Sequence, residues 1–242
     1  MGAKWFGAAV KRKEDPALLA GRGRFVDDVR LPGTLHAAFV RSPHPHAKIR
    51  TVRTAAARAL PGVHLVLAFA DLPEQLRRNA LPLFVPSPAI TELYMPYALA
   101  STETVYAGEP VAVVVADTRY LAEDAAALVE VDYEPLPGVY DCVAAMEPGS
   151  PRAHTGSKSN VAARVPITVG DADAAFAKAA HVVAERIVIH RGGPFFLECR
   201  GLVASYDAIA DAYSVYISSQ GSHRIKRGSS TCSISTTTRC MW

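Results

Sequence analysis

VVAERIVIHRGGPFFLECRGLVASYDAIADAYSVYISSQGSHRIKRG, residues 182–228, is the stretch that decides how this chain is read. Two β-like runs, 182–190 and 202–206, flank a Gly-Gly-Pro turn at 192–194, and a third run, 213–219, ends at Gln220-Gly221. Alternating side chains and turn residues predict strands here, with residues 207–211 as a hairpin loop. The polar Gln-Gly step is followed by His223, Arg224, Ile225, Lys226 and Arg227, the pattern of a sheet edge feeding a helix start. Gln220 is the sharpest site candidate. Its neutral amide both donates and accepts, and the missing side chain of Gly221 lets a ligand approach the backbone closely. The bland reading is a loop amide that satisfies nearby backbone.

Upstream, residues 171–180 (DADAAFAKAA) form an alanine-rich helix with Asp171 at its N-terminus, where the helix dipole favours negative charge. Before it, residues 148–160 (PGSPRAHTGSKSN) have the composition of a linker and mark a domain boundary. In residues 105–116 a strand, a tight Ala-Gly-Glu-Pro connection and a second strand are expected. The second run, 111–115, has no polar residue and should be central in its sheet. Asp117 or Thr118 caps a helix whose Leu121, Ala125, Leu128 and Val129 share a face, and 129–134 returns as a strand.

Further back, 35–41, 48–53 and 63–69 read as strands, with a short helix over 54–60 between the last two. Proline-rich 71–99 reads as an irregular excursion. Ser42-Pro-His-Pro-His46 could supply two metal ligands, but proline holds both neighbours extended and no third ligand is near; a surface loop is the better reading. Gly21-Arg-Gly23 lacks the strand, helix and third glycine of a dinucleotide fingerprint and reads as a flexible connection.

The chain has 242 residues, 26 Lys+Arg against 23 Asp+Glu, and a net charge of +3. That length can bury a real core. The charges are interspersed, so no concentrated basic face marks a nucleic-acid binder. No stretch approaches the ~20 apolar residues of a membrane span, and residues 1–14 lack a signal-peptide core. The cytoplasm is the expected compartment. Cys142, Cys199, Cys232 and Cys240 form no C-x-x-C pair, which argues against an iron–sulfur or zinc site. The apolar contexts of Cys142 and Cys199 suggest core filler.

Three blocks in order, residues 21–49 (GRGRFVDDVRLPGTLHAAFVRSPHPHAKI), 105–137 (VYAGEPVAVVVADTRYLAEDAAALVEVDYEPLP) and 182–228, carry a resemblance. The chain resembles the large, molybdopterin-binding subunit of the molybdenum hydroxylases, the xanthine dehydrogenase, aldehyde oxidase and carbon monoxide dehydrogenase family. The resemblance covers about residues 7–228. It implies an α+β chain: a hammerhead-like α/β domain over 1–147, a linker over 148–160, and the beginning of a molybdopterin-binding domain over 161–228. Residues 229–242 form an off-pattern tail, read as a truncation or a frame change after Gly228.

The resemblance implies that Gln220 lies beside the molybdenum centre, with Gly221 as its neighbour in the cofactor site, and it implies no protein metal ligand. Glu198 and Arg200 flank Cys199 where the family commonly carries Glu-Pro-Arg; a salt bridge between them is the favoured reading. The glycine-rich cofactor loop and the catalytic glutamate of the family are not found in these residues. The expected function is therefore that of a leading portion of an oxidoreductase subunit, inactive by itself. Molybdopterin would serve the complete subunit, while FAD and 2Fe-2S clusters would sit on a flavin medium subunit and an iron–sulfur small subunit. The substrate would be a small molecule of undetermined identity. A non-catalytic assembly module derived from that subunit is the alternative, and nucleic-acid binding is a distant third.

Overall fold

The computed structural model describes residues 7–82, 87–189, 192–193, 196, 198–221, 223–227 and 238–241. In chain order the elements begin with α1 (Asp15–Leu19), β1 (His36–Arg41), β2 (Ala47–Arg53), α2 (Ala55–Arg58), β3 (Val63–Ala68) and α3 (Glu74–Arg78). They continue with β4 (Glu103–Thr104), β5 (Pro110–Ala116), α4 (Arg119–Ala127), β6 (Glu130–Pro135) and α5 (Ala172–Lys178). The last are β7 (Leu202–Asp207), β8 (Ala212–Ile217) and β9 (Thr238–Met241). Among the described residues no helix is long and apolar enough to cross a membrane.

The chain divides into two compact units, one of Met1–Gly33 with Phe195–Trp242, the other of Thr34–Pro194. Residues 1–33 group with the end of the chain instead of with 34–147, and 148–160 lies inside the second unit.

In the second unit, β5 sits between β1 and β3, antiparallel to both, and β2 sits between β4 and β6 in a separate sheet. The all-apolar run of β5 is thus central, as its composition requires. The connection over 105–109 does not make a hairpin: β4 and β5 belong to different sheets, so the turn carries the chain from one to the other. The core joins Val66 of β3, Ala112 and Val114 of β5, Ala57 of α2 and Ala125 of α4, with Val52 and Val131 of the other sheet packed against it. Small alanines let α2 and α4 approach closely. Thr118 caps α4 by accepting from Leu121 N at 3.2 Å. Its buried residues are Ala122 and Ala125, while Leu128, expected on the core face, is exposed.

Gly62, after α2, has φ +82, and an added Cβ would stand 2.8 Å from Asp117 Oδ2 and from Leu121 Cδ2. Both neighbours are side-chain ends that can shift, so backbone strain dominates. Gly62→Ala should cost about 1–2 kcal/mol, read as a lowered urea midpoint with unchanged slope.

Residues 148–160 are pinned by Asn160. Asn160 Nδ2 donates to Ala145 O at 3.0 Å and Pro151 O at 2.8 Å, and its Oδ1 accepts from Ala153 N at 3.0 Å. Asp171 caps α5 through Ala174 N at 2.9 Å, as expected.

The expected strand over 182–190 is absent from the described part of that run. Residues 182–189 join no ladder, and Val183, Ile187 and Ile189 are exposed; His190 lies outside the described residues. Residue type alone does not make a strand, which also needs a partner to take its backbone groups. Cys142 and Cys199, read as core filler, are both exposed free thiols. In the first unit β7 and β8 form the expected antiparallel hairpin, with Asp207 pairing Ala212. Asp207 Oδ1 accepts from Ile209 N and Ala210 N, and Asp211 takes φ 44, a conformation Asp tolerates. The tail, expected off pattern, contributes β9 parallel to β8; the remainder of 228–242 lies outside the described residues.

Candidate functional site

β8 ends at Ile217, paired with Leu202. Past the ladder, Ser218 turns back on the segment before β7: its N donates to Gly201 O at 3.4 Å and its Oγ to Cys199 O at 3.3 Å. Gly221 N donates to Ser219 Oγ at 3.3 Å, and Gly221 O accepts from Arg224 N at 3.1 Å and Ile225 N at 3.2 Å. Residues 223–227 are helical, so Gln220-Gly221 stands where strand passes into helix, as read from the sequence.

Gln220 is exposed and makes no hydrogen bond to the described residues. A Cβ on Gly221 would have the Arg224 side chain as its nearest described neighbour, at 3.7–3.9 Å. A carboxamide offers one acceptor oxygen and a donor NH2 group. A carboxamide is neither acid nor base at neutral pH, so it can hold and orient but not move a proton.

A cavity of about 260 Å³ lies in the same unit, lined by Phe25, Val26, Val29, Glu198, Tyr216 and Ser218 among others. Glu198 does not pair with Arg200; its Oε1 accepts from Val26 N at 2.9 Å, across 172 residues. Val26 begins a 3-10 turn, Val26–Asp28, whose Asp28 Oδ2 accepts from Phe25 N at 2.9 Å.

The second unit holds a polar cluster that the sequence did not reveal. Ser42 and His46, read as part of a surface loop, are 2% and 4% exposed. His46 Nε2 lies 3.1 Å from Glu103 Oε2 and its Nδ1 lies 3.3 Å from Pro137 O. Glu103 also accepts from Thr155 N at 3.2 Å and from the Thr155 hydroxyl. Burial pushes the Glu103 pKa up, but the Thr155 and His46 hydrogen bonds together outweigh it, and the carboxyl lies below its ordinary range. Glu109, 6% exposed, has the opposite balance: burial raises its pKa despite donation from Val105 N at 2.6 Å. His154 stacks on Tyr94 with ring centroids 4.6 Å apart, and burial lowers its pKa. Each of these groups ties one backbone segment to another, and among the described residues no group of three or more His, Cys, Asp or Glu could hold a metal ion. No signal in the sequence marked His46 as buried.

Residues 20–137 match the family model "aldehyde oxidase and xanthine dehydrogenase, a/b hammerhead domain", and residues 153–234 match "molybdopterin cofactor-binding domain". The second match runs six residues past Gly228, into the stretch expected to be off pattern. The nicotine 6-hydroxylase large subunit of Paenarthrobacter nicotinovorans is 39% identical over 220 residues, covering 91% of this chain and 26% of that protein. The carbon monoxide dehydrogenase large chain of Afipia carboxidovorans is 38% identical, covering 91% of this chain and 28% of that one. Quinoline 2-oxidoreductase from Pseudomonas putida 86 superposes with a TM-score of 0.81 at 36% identity, covering 93% of this chain and 28% of the solved chain. The chain thus spans about a quarter of the length of the curated relatives it matches. With a hammerhead domain followed by the start of a molybdopterin-binding domain, and with relatives that are large subunits, the chain belongs to the aldehyde oxidase and xanthine dehydrogenase family of molybdenum hydroxylase large subunits.

Proposed function

We propose that this chain is the leading portion of the large subunit of a molybdenum-dependent hydroxylase, and that Gln220 and Gly221 contribute one contact to the molybdopterin cofactor. The observation that carries the proposal is the exposed Gln220 amide at a strand end, without a hydrogen bond to the described residues and within the residues matched to the cofactor-binding domain. When bound, the molybdenum cofactor supplies the two-electron oxidation by which a small-molecule substrate receives water-derived oxygen. Gln220 holds and orients by donating or accepting one hydrogen bond; Gly221 keeps the approach open. Neither residue is itself a proton-transfer group. Electrons would pass to an iron–sulfur small subunit and a flavin medium subunit, in the cytoplasm.

The alternative, a non-catalytic assembly module, draws on one observation: the second unit has its own core and does not include Gln220. Two measurements separate the readings. The tagged chain is co-expressed with the iron–sulfur and flavin subunits in a host that makes molybdopterin, and both molybdenum content and partner retention are measured. Retained molybdenum, held about tenfold less tightly in Gln220→Ala as expected for one lost hydrogen bond, supports the cofactor reading. Partner capture without molybdenum supports the assembly reading, and retention of neither sinks both.

A further inference from the structure

Gln220 makes no hydrogen bond of its own to the described residues, so its place is set by the backbone that carries it. The β7–β8 ladder stops at Ile217, and past it Ser218 is held by Gly201 O and Cys199 O. The segment that offers those carbonyls is itself fastened to Val26. Glu198 Oε1 accepts from Val26 N at 2.9 Å, and a Cβ on Gly201 would stand 3.4 Å from Val26 Cγ1. A single chain of contacts thus runs from Val26 through Glu198 and the 199–201 backbone to Ser218, two residues before Gln220.

We infer that Glu198 is a positioning residue for Gln220: by accepting the Val26 amide it fixes the 198–201 segment on which the strand end rests. The inference rests on the reading of Gln220 as a cofactor contact, and it assigns Glu198 no proton transfer. What it requires of Glu198 is an acceptor oxygen, not a charge. Glutamine at 198 keeps that oxygen, and alanine removes it. Val26→Pro removes the donor from the other side. The backbone tolerates that change, because Phe25, at φ −115 and ψ 167, already has the extended geometry a residue before proline needs, and residue 26 opens a helical turn.

The chain contains two glutamines, Gln75 and Gln220. Labelling with [15N]glutamine therefore yields two backbone amide cross-peaks, that of Gln75 in α3 serving as the internal reference. In Glu198→Ala and in Val26→Pro the Gln220 cross-peak should shift to a common new position while Gln75 stays put, and the double variant should move it no further. In Glu198→Gln, where residue 198 adds a third peak, Gln220 should keep its native position. Hydrogen exchange over 218–221 should quicken about tenfold in the alanine variant, with Ala212–Ile217 still protected. An unmoved Gln220 peak, a shift also in Glu198→Gln, or loss of protection throughout the hairpin overturns the inference. The last outcome would make Glu198 a support of the whole unit and not of the strand end. Because the experiment needs no cofactor, its failure leaves the molybdenum test of Gln220 standing, and the reverse also holds.

Discussion

Val114→Asp should leave residues 34–194 without cooperative structure. Val114 is fully buried on β5, opposite Ala38 of β1 on one side and Val66 of β3 on the other, and belongs to the core formed with α2 and α4. No cation or donor is among the core residues to meet a carboxylate there. Burying an unpaired charge costs at least ~5 kcal/mol, as much as the whole stability of many domains. The control is Leu65→Thr, on neighbouring β3 and 45% exposed, which should change stability by no more than about 0.5–1 kcal/mol. Far-UV circular dichroism and urea titration read both. A cooperative transition in Val114→Asp with a near-native midpoint would show that the core does not lie between β5 and the helices.

Glu103→Ala should cost roughly 2–4 kcal/mol, of which 1–3 comes from the buried ring nitrogen it orphans and about 1 from the lost bonds to the 148–160 loop. Glu103 accepts from His46, 4% exposed, and from Thr155. The same contacts give a pH dependence. Because the folded carboxyl titrates below its ordinary value of 4.5, its contribution is present above the unfolded pKa and is lost as pH falls through the lower, folded one. Glu109 acts in the opposite sense: its raised pKa gives a contribution present below the unfolded value and lost as pH rises through the folded one. Urea midpoints of the wild type, Glu103→Gln and Glu109→Gln between about pH 7 and pH 3 separate the two effects. Glu103→Gln should flatten the acid loss, and Glu109→Gln should steepen it. An acid profile unchanged by Glu103→Gln would mean that the carboxylate does not latch the loop.

Much of the architecture was legible because it is encoded over a few residues. The all-apolar 111–115 run required a central strand, and β5 pairs on both sides. The turn chemistry of 207–211 specified the β7–β8 hairpin, and Thr118 and Asp171 announced the helices they cap. The Gln-Gly step located the strand-to-helix junction at 220–221 without reference to anything distant.

What the residues of one stretch cannot encode is which other stretch meets their polar groups. The 182–189 run has the composition of a strand, but joins no ladder among the described residues. Residues 105–109 look like a hairpin turn yet join two different sheets. His46 looked exposed until Glu103, 57 residues away, supplied its partner, and Glu198 looked paired with Arg200 until Val26, 172 residues away, donated to it. Sequence by itself pointed to the family, to the central strand of 111–115, to the β7–β8 hairpin and to the place of Gln220 at a strand end, because periodicity, caps and motifs act locally. Only the tertiary structure decided the division into two units and the partners of His46, Glu103 and Glu198. Those depend on burial, since a polar group withdrawn from water must find a partner wherever the fold brings one within reach.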